Sequence, residues 1–243
     1  MSDHSQQPTV AVFRPADERL DRALALLADL GVEGLGDPML AVEPTGTQPR
    51  TDGTYTVLTS KTAPDLLSAD WEPGGRLCAI GPATADALAA AGFTVDIVPE
   101  TYSSSGVVER LAGEVGGARV EVARSDHGSP TLLDGLTAAG AYVHETVLYR
   151  LTRPDGSGVS AERAAADELD AALFSSSLTV EHFLEAATAR GVAKRARAGL
   201  EGAVVGAIGE PTAQTARDAG IAVDVVPEDA AFEALARAVV SRL

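Results

Sequence analysis

Two turns of the chain share one chemical logic. Residues 81–84 read Gly-Pro-Ala-Thr and residues 209–212 read Gly-Glu-Pro-Thr. Each turn follows a short apolar run and opens a helical stretch. A helix N-terminus presents free N–H groups and the positive end of a dipole, so both turns can hold an anion. Thr84 and Thr212 fall near the helix caps, where a threonine hydroxyl also serves as an ordinary capping group. Arg14 and Arg124 each end an apolar run; a guanidinium there can grip a carboxylate bidentately or close a surface salt bridge. Thr59, Ser60, Ser103, Ser104, Ser175, Ser176 and Ser177 add hydroxyls after other runs. Tyr149 is an acid-capable side chain, with half-buried packing as its ordinary alternative.

The familiar catalytic motifs are absent. No Gly-x-Ser-x-Gly elbow, P-loop or Gly-x-Gly-x-x-Gly follows the first apolar run. No histidine stands at a run end to activate Ser175, Ser176 or Ser177, so these read as a solvated binding loop rather than a nucleophile. His4, His127, His144 and His182 are scattered, which argues against a metal site. The single cysteine, Cys78, excludes an intramolecular disulfide and reads as core.

The elements that position these residues alternate in type. Strands are expected at 9–13, 55–59, 77–80, 94–98, 119–123, 171–174, 203–208 and 222–226. Helical patterns lie between them, at 17–30, 62–67, 83–91, 106–112, 131–139, 161–168, 180–190, 212–219 and 230–243. Strand–helix alternation predicts parallel sheets with helices on both faces, a flavodoxin-like α/β class. Residues 80–100 and 208–228 are identical at 11 of 21 positions, at an offset of 128 residues. Two copies so far apart indicate two similar lobes rather than a solenoid. Residues 38–43 and 142–151 look extended and read as linker strands. One lobe is then discontinuous, residues 1–37 plus 152–243, and the other is residues 44–141.

Composition narrows the partners. The 35 acidic and 19 basic residues give a formal net charge of −16, with 45% hydrophobic and 4% aromatic residues. Such a surface disfavours nucleic acid and anionic membrane. Two lysines, Lys61 and Lys194, against many acids is the composition of a high-salt cytoplasm, as in a halophilic archaeon. No run of 18 apolar residues and no secretory pattern is present, so a cytoplasmic protein is expected.

Taken in order, these segments resemble the uroporphyrinogen-III synthase family. The resemblance rests on Arg14-Pro15, Leu58-Thr59-Ser60, Ile80-Gly81-Pro82-Ala83-Thr84, Tyr102-Ser103-Ser104, Val147-Leu148-Tyr149-Arg150, Phe174-Ser175-Ser176-Ser177 and Ala207-Ile208-Gly209-Glu210-Pro211-Thr212-Ala213. It covers nearly the whole chain. It implies a cofactor-free, monomeric enzyme of tetrapyrrole synthesis, on the way to haem, sirohaem or cobalamin. Such an enzyme closes hydroxymethylbilane to uroporphyrinogen III, losing water and inverting the last pyrrole ring, with at most transient contact with the preceding pathway enzyme. Tyr149 matches the family's linker tyrosine that assists loss of the hydroxyl, and Thr84 and Thr212 match its paired turn threonines. Arg14, Thr59, Ser60, Gly81, Ser103, Ser104, Arg124, Ser175, Ser176 and Gly209 are then the expected substrate contacts. The chain departs from the family pattern at Ala63-Pro64, and at Glu210, an acid that would weaken carboxylate binding nearby. A two-lobed anion-binding or sensor module without catalysis is the alternative that the fold class leaves open.

Overall fold

The computed structural model describes residues 7–243. The chain divides into two compact units, one running up to Ala41 and resuming at Thr152–Leu243, the other Val42–Leu151. The first unit begins with β1 (Thr9–Phe13), α1 (Glu18–Asp29) and β2 (Glu33–Gly36). The second contains β3 (Ala41–Pro44), β4 (Tyr55–Leu58), β5 (Arg76–Ala79), α2 (Pro82–Ala90), α3 (Ser104–Leu111), β6 (Arg119–Ser125), α4 (Pro130–Ala138) and β7 (Tyr142–Thr152). The first then resumes with α5 (Val159–Ala165), β8 (Ala171–Phe174), α6 (Ser177–Ala189), α7 (Ala193–Leu200), β9 (Val204–Ala207), α8 (Glu210–Asp218) and α9 (Phe232–Val240).

Each unit is a sheet covered by helices on both faces. The first sheet has the order β2-β1-β8-β9, all parallel. Its central strands β1 and β8 are short, apolar and buried, as a parallel sheet between two helical layers requires. Alternate residues feed opposite layers: Ala11 and Phe13 pack with α5, α6 and α7, while Val10 and Val12 pack with α1 and α9. The two halves of this discontinuous unit are pinned by Asp37. Its buried carboxylate accepts from the Gly158 and Ser160 amides, each at 2.9 Å, and from the Ser160 hydroxyl.

The second sheet has the order β3-β7-β6-β4-β5, a mixed sheet with β3 at its edge. Residues 142–151 are therefore not a free linker. From Tyr142 to Tyr149 they pair in parallel with β6, so β7 is an integral strand of the second unit. Without it the β6 edge would present unpaired N–H and C=O groups along its length.

The register explains the sequence repeat. Phe13 pairs with Phe174 and Phe174 with Ala207 in one sheet; Ala123 pairs with Leu58 and Leu58 with Ala79 in the other. Strands β6, β7, β4 and β5 of the second unit thus correspond to β1, β2, β8 and β9 of the first, in a permuted chain order. Position by position, Arg124 is the counterpart of Arg14, Thr59 of Ser175, and Gly81 of Gly209. The segments expected as strands at 94–98 and 222–226 are each reduced to one bridge, Cys78 to Ile97 and Gly206 to Val225. In each, an aspartate carboxylate takes over a backbone position: Asp96 accepts from the Leu77 amide at 2.7 Å and Asp224 from the Val205 amide at 2.8 Å. The shared Val-Asp-x-Val-Pro-Glu is an edge closure built twice. No helix of the described residues is long and apolar enough to cross a membrane.

Candidate active site

In open α/β sheets, ligands bind beyond the carboxyl ends of the strands, where the strand order reverses. In the second unit that point lies between β6 and β4, and in the first between β1 and β8. The second-unit point holds a cavity of about 260 Å³ lined by Thr59, Ser60, Ile80, Ser104, Arg124, Ser125, Gly128, Ser129, Leu132 and Tyr149. Five of the residues singled out in the sequence, namely Thr59, Ser60, Ser104, Arg124 and Tyr149, therefore meet there.

Each is positioned by an identifiable local device. Ser60 accepts from the Thr62 amide at 3.1 Å, which shapes the turn into the short 3₁₀ segment Pro64–Leu66. The departure at Ala63-Pro64 is thus accommodated, with Ala63 fully buried. Ser103 caps α3 by accepting from the Gly106 amide at 3.1 Å, which leaves Ser104 on the first turn at the cavity wall. Tyr149 is aimed by an irregularity in the ladder. The pairing shifts between Arg124 and Ser125, so Ser125 faces Tyr149 while Arg124 faces Val147. Such a shift re-aims a side chain. The Tyr149 ring packs with Leu58, Ala79, Ala123 and Leu148 and is 7% exposed. The hydroxyls of Thr59, Ser104, Ser125 and Tyr149 find no protein acceptor among the described residues. Unpartnered hydroxyls around a small polar cavity are ready to bind a polar ligand.

Arg124 is not a surface salt bridge. It is 6% exposed, its Nε donates to Glu145 Oε1 at 2.6 Å, and its Nη1 donates to the Ser129 carbonyl at 2.5 Å. Asp126 ties the following loop to β7, accepting from the Leu151 amide at 3.0 Å and from His127 at 2.8 Å. Burial raises its pKa, but these two contacts outweigh burial and hold it below the ordinary carboxylate value.

The first unit repeats the plan with different chemistry. Arg14 lies 4.6 Å from the centre of the Phe232 ring, in a depression shared with Arg19 and Arg22. Burial, reinforced by Arg19 and set against the pull of Asp17, lowers its pKa from the ordinary arginine value. Ser175 and Ser176 are already engaged within the protein. Ser175 donates to the Phe13 carbonyl at 2.9 Å, and Ser176 forms a reciprocal cap with Thr179. Ser177 donates to the Pro211 carbonyl at 3.3 Å. The expected solvated serine loop is instead a bonded turn joining β8 to α6.

Thr84 and Thr212 are the third residues of α2 and α8 and are equally buried, at 5%. Gly81 and Gly209 precede these helices with the same extended backbone and no side-chain cap, so the helix N-termini remain free. Gly81 has a steric reason: a Cβ there would lie 3.1 Å from Tyr102 Cβ. Glu210 does not stand as a free acid. Its carboxylate meets Arg217 Nη1 at 2.6 Å.

Thr84, Gly81 and Ser103 are not among the residues that line the second-unit cavity. The sequence reading missed Gly128, Ser129 and Glu145, and it singled out Ser125 beside Arg124 only as a strand-end residue, not as a contact. Ser125 and Ser129 stood in the loop after an expected strand, but Glu145 becomes a neighbour of Arg124 only through the β6–β7 register. A larger cavity of about 650 Å³, lined by Arg50, Arg119, Glu121 and His144 among others, opens at the opposite, amino end of the same strands. There Glu121 is bonded to His144 and Thr146, which makes it a closed structural pair. The smaller cavity is the better candidate, because it gathers Arg124, Tyr149 and several hydroxyls and lies at the reversal point. Among the described residues no group of three or more His, Cys, Asp or Glu could hold a metal ion.

The geometry agrees with what the chain is similar to. The family model described as uroporphyrinogen-III synthase HemD matches residues 21–237. A protein of Methanothermobacter thermautotrophicus, provisionally named a uroporphyrinogen-III synthase, is 31% identical over 237 residues, covering 90% of this chain and 92% of that protein. Among solved structures, uroporphyrinogen-III synthetase from Helicobacter pylori superposes with a TM-score of 0.65 at 16% identity, covering 98% of this chain and all of the other. A mutant uroporphyrinogen III synthase from Thermus thermophilus gives 0.60 at 19% identity, covering 95% and 96%. These two structures share the fold.

Proposed function

The chain belongs to the uroporphyrinogen-III synthase family, and on that premise we propose that it closes hydroxymethylbilane to uroporphyrinogen III without a cofactor. The observation that carries the proposal is the second-unit cavity, where an anchored arginine and four unpartnered hydroxyls converge. The substrate is a linear tetrapyrrole bearing several carboxylates. In a protein of net charge −16 it needs local, directed contacts rather than a basic surface. In the second unit Arg124 and the free helix N-terminus at Gly81 supply such contacts.

The reaction makes few demands on side-chain chemistry. A pyrrole nitrogen lone pair expels the terminal hydroxyl, and Tyr149 donates a proton to the departing hydroxide, giving water and an azafulvene. The substituted carbon of the last ring attacks that centre to form a spiro intermediate. One bond of the intermediate then breaks and re-forms at the other side of the ring, and loss of a ring proton restores the pyrrole. The product carries the inverted ring. Free in solution the bilane closes at its nearest position to the uninverted isomer, so the protein's main task is orientation.

The test is to incubate the purified protein with freshly made hydroxymethylbilane and separate isomers I and III. Isomer III in excess over the spontaneous reaction is the expected result. Isomer I alone, at the uncatalysed rate, would leave a binding or sensor module in its place.

A further inference from the structure

Arg124 is held more closely than a substrate contact needs to be for folding. Its Nε and Nη1 are occupied by Glu145 and the Ser129 carbonyl. The loop passes so near that a Cβ added at Gly128 would lie 2.5 Å from Arg124 Nη1 and 2.7 Å from its Cζ. The remaining nitrogen, Nη2, has no acceptor among the described residues, and the side chain lines the cavity beside Thr59, Ser60, Ser104 and Tyr149. Arg14, at the same register position in the first unit, has neither a carboxylate nor a carbonyl holder among the described residues and rests on Phe232. The fold does not require the clamp, since one copy is built without it.

We propose that Glu145 and Gly128 are positioning residues for carboxylate recognition: they fix Arg124 so that its open guanidinium edge takes one carboxylate of the ligand. The identity of that ligand as hydroxymethylbilane rests on the function proposed above; the clamp does not. The physical gain is pre-organisation. A free arginine side chain loses rotamer freedom when it is ordered, and fixing it before binding removes that cost from the binding step. Glu145 holds the stem without blocking the open edge, and Gly128 gives the plane room to lie flat against the loop.

Two explanations for a carboxylate at this place predict opposite signs. If Glu145 acted only through its charge, removing it would strengthen binding of an anion. If it positions Arg124, removing it weakens binding although a like charge has gone. Glu145→Gln keeps an acceptor for Nε without the charge, whereas Glu145→Ala removes both. Gly128→Ala perturbs the guanidinium from the other side with Glu145 intact. Gly128 does not have a positive φ, so alanine brings no backbone strain of that kind.

Two measurements test this. The first is steady-state formation of isomer III. The expected result is a KM raised about tenfold in Glu145→Ala and in Gly128→Ala, equivalent to one charge-assisted contact. In both, kcat should stay within about twofold and the melting temperature should not track KM; Glu145→Gln should stay at or below the wild-type KM. The second is titration with succinate, read by nitrogen-15 resonances of the Arg124 guanidinium, which needs no turnover. Succinate should shift them in wild type and Glu145→Gln and bind several-fold more weakly in Glu145→Ala and Gly128→Ala. Tighter succinate binding in both Glu145 variants, or unchanged binding in Gly128→Ala, would overturn the clamp. Absence of isomer III from wild type, with the succinate pattern intact, would overturn the assigned substrate and leave the clamp standing.

Discussion

Tyr149 brings a phenol to the cavity wall with its ring clamped in the core and its hydroxyl unpartnered. That combination suits a proton donor, because the ring cannot swing away and the hydroxyl has no competing acceptor. We expect Tyr149→Phe to slow isomer III formation about tenfold, below the 10²–10⁴ typical of a general acid, because the pyrrole nitrogen already drives the hydroxyl out. Ser175→Ala and Ser176→Ala should lose less activity than this, since their hydroxyls serve the β8–α6 turn. The initial rate of each folded variant decides it, and a wild-type rate for Tyr149→Phe would leave orientation as the whole mechanism. Cys78 offers a prediction of a different kind. Burial pushes its thiol up to about 12, opposed only by Arg110 and Arg76. A thiol in the unfolded chain ionises near 8.5. The folded state therefore keeps a proton that the unfolded state loses. Stability from this group is complete below about pH 8.5 and falls as pH rises toward 12, by about 1.4 kcal/mol per pH unit. Cys78→Ala should flatten the alkaline arm of stability, measured as urea midpoints from pH 8 upward; an unchanged slope would mean that Cys78 is not the titrating group. At this scale the sequence was informative where a residue ends an apolar run, as with Thr59 and Arg124, while Tyr149 was legible from its extended stretch and the family resemblance. Glu145 and Gly128 could not be read, because their role exists only once β6 and β7 are in register.

Among the elements, the duplicated edge closure is the most instructive. A run such as 94–98, with valine and isoleucine flanking an aspartate, reads as a strand. The chain instead makes one bridge and lets the aspartate side chain accept the next amide. This ends the sheet without presenting a long open edge, and Pro99 and Pro227 then remove the next donor. Asp96→Ala should leave the Leu77 amide without its side-chain acceptor, and Asp224→Ala the Val205 amide. Each should cost about 1–2 kcal/mol of unfolding free energy, the range for a part-buried unpaired group. Because the two act in separate sheets, the double variant should show a nearly additive loss. Asparagine, which keeps an acceptor oxygen, should recover part of it. Urea melts check the values, and full stability in both alanine variants would mean that the carboxylates contribute nothing to the edge. The helix α7 was not legible, because Lys194, Arg195 and Arg197 mask the short apolar seam of Ala193, Ala196 and Leu200. The strand β7 was legible as extended and as the partner of the stretch that holds β3, but its pairing with β6 was not, since β6 lies across an intervening helix.

For the whole chain the deciding quantity is charge. The repeat disclosed two similar units in the sequence alone, but the permuted order of their strands could not be seen, because strand neighbours are not written in a parallel sheet's sequence. The charge, by contrast, is fully legible: 35 acidic against 19 basic residues. Many of the arginines are spent on exposed pairs such as Arg119 with Asp52 and Arg237 with Glu233. Exposed pairs contribute about 0.2–1 kcal/mol each and weaken in salt, so taken alone they predict a protein that loses stability as salt rises. The unpaired acids predict the reverse, since their mutual repulsion opposes the compact state and is screened over about 3 Å at 1 M salt against about 30 Å at 0.01 M. With 35 acidic and 19 basic residues, like-charge pairs outnumber opposite-charge pairs over the chain as a whole. We therefore expect the thermal midpoint to rise from low to multimolar KCl. Sodium sulfate is the control, because exclusion of that salt from the surface strengthens burial in any protein. A rise in KCl already present by a few tenths molar marks screening, whereas a rise only in sulfate marks exclusion. A midpoint that falls or stays level in KCl would mean that the exposed ion pairs, rather than the excess of acids, set the salt response.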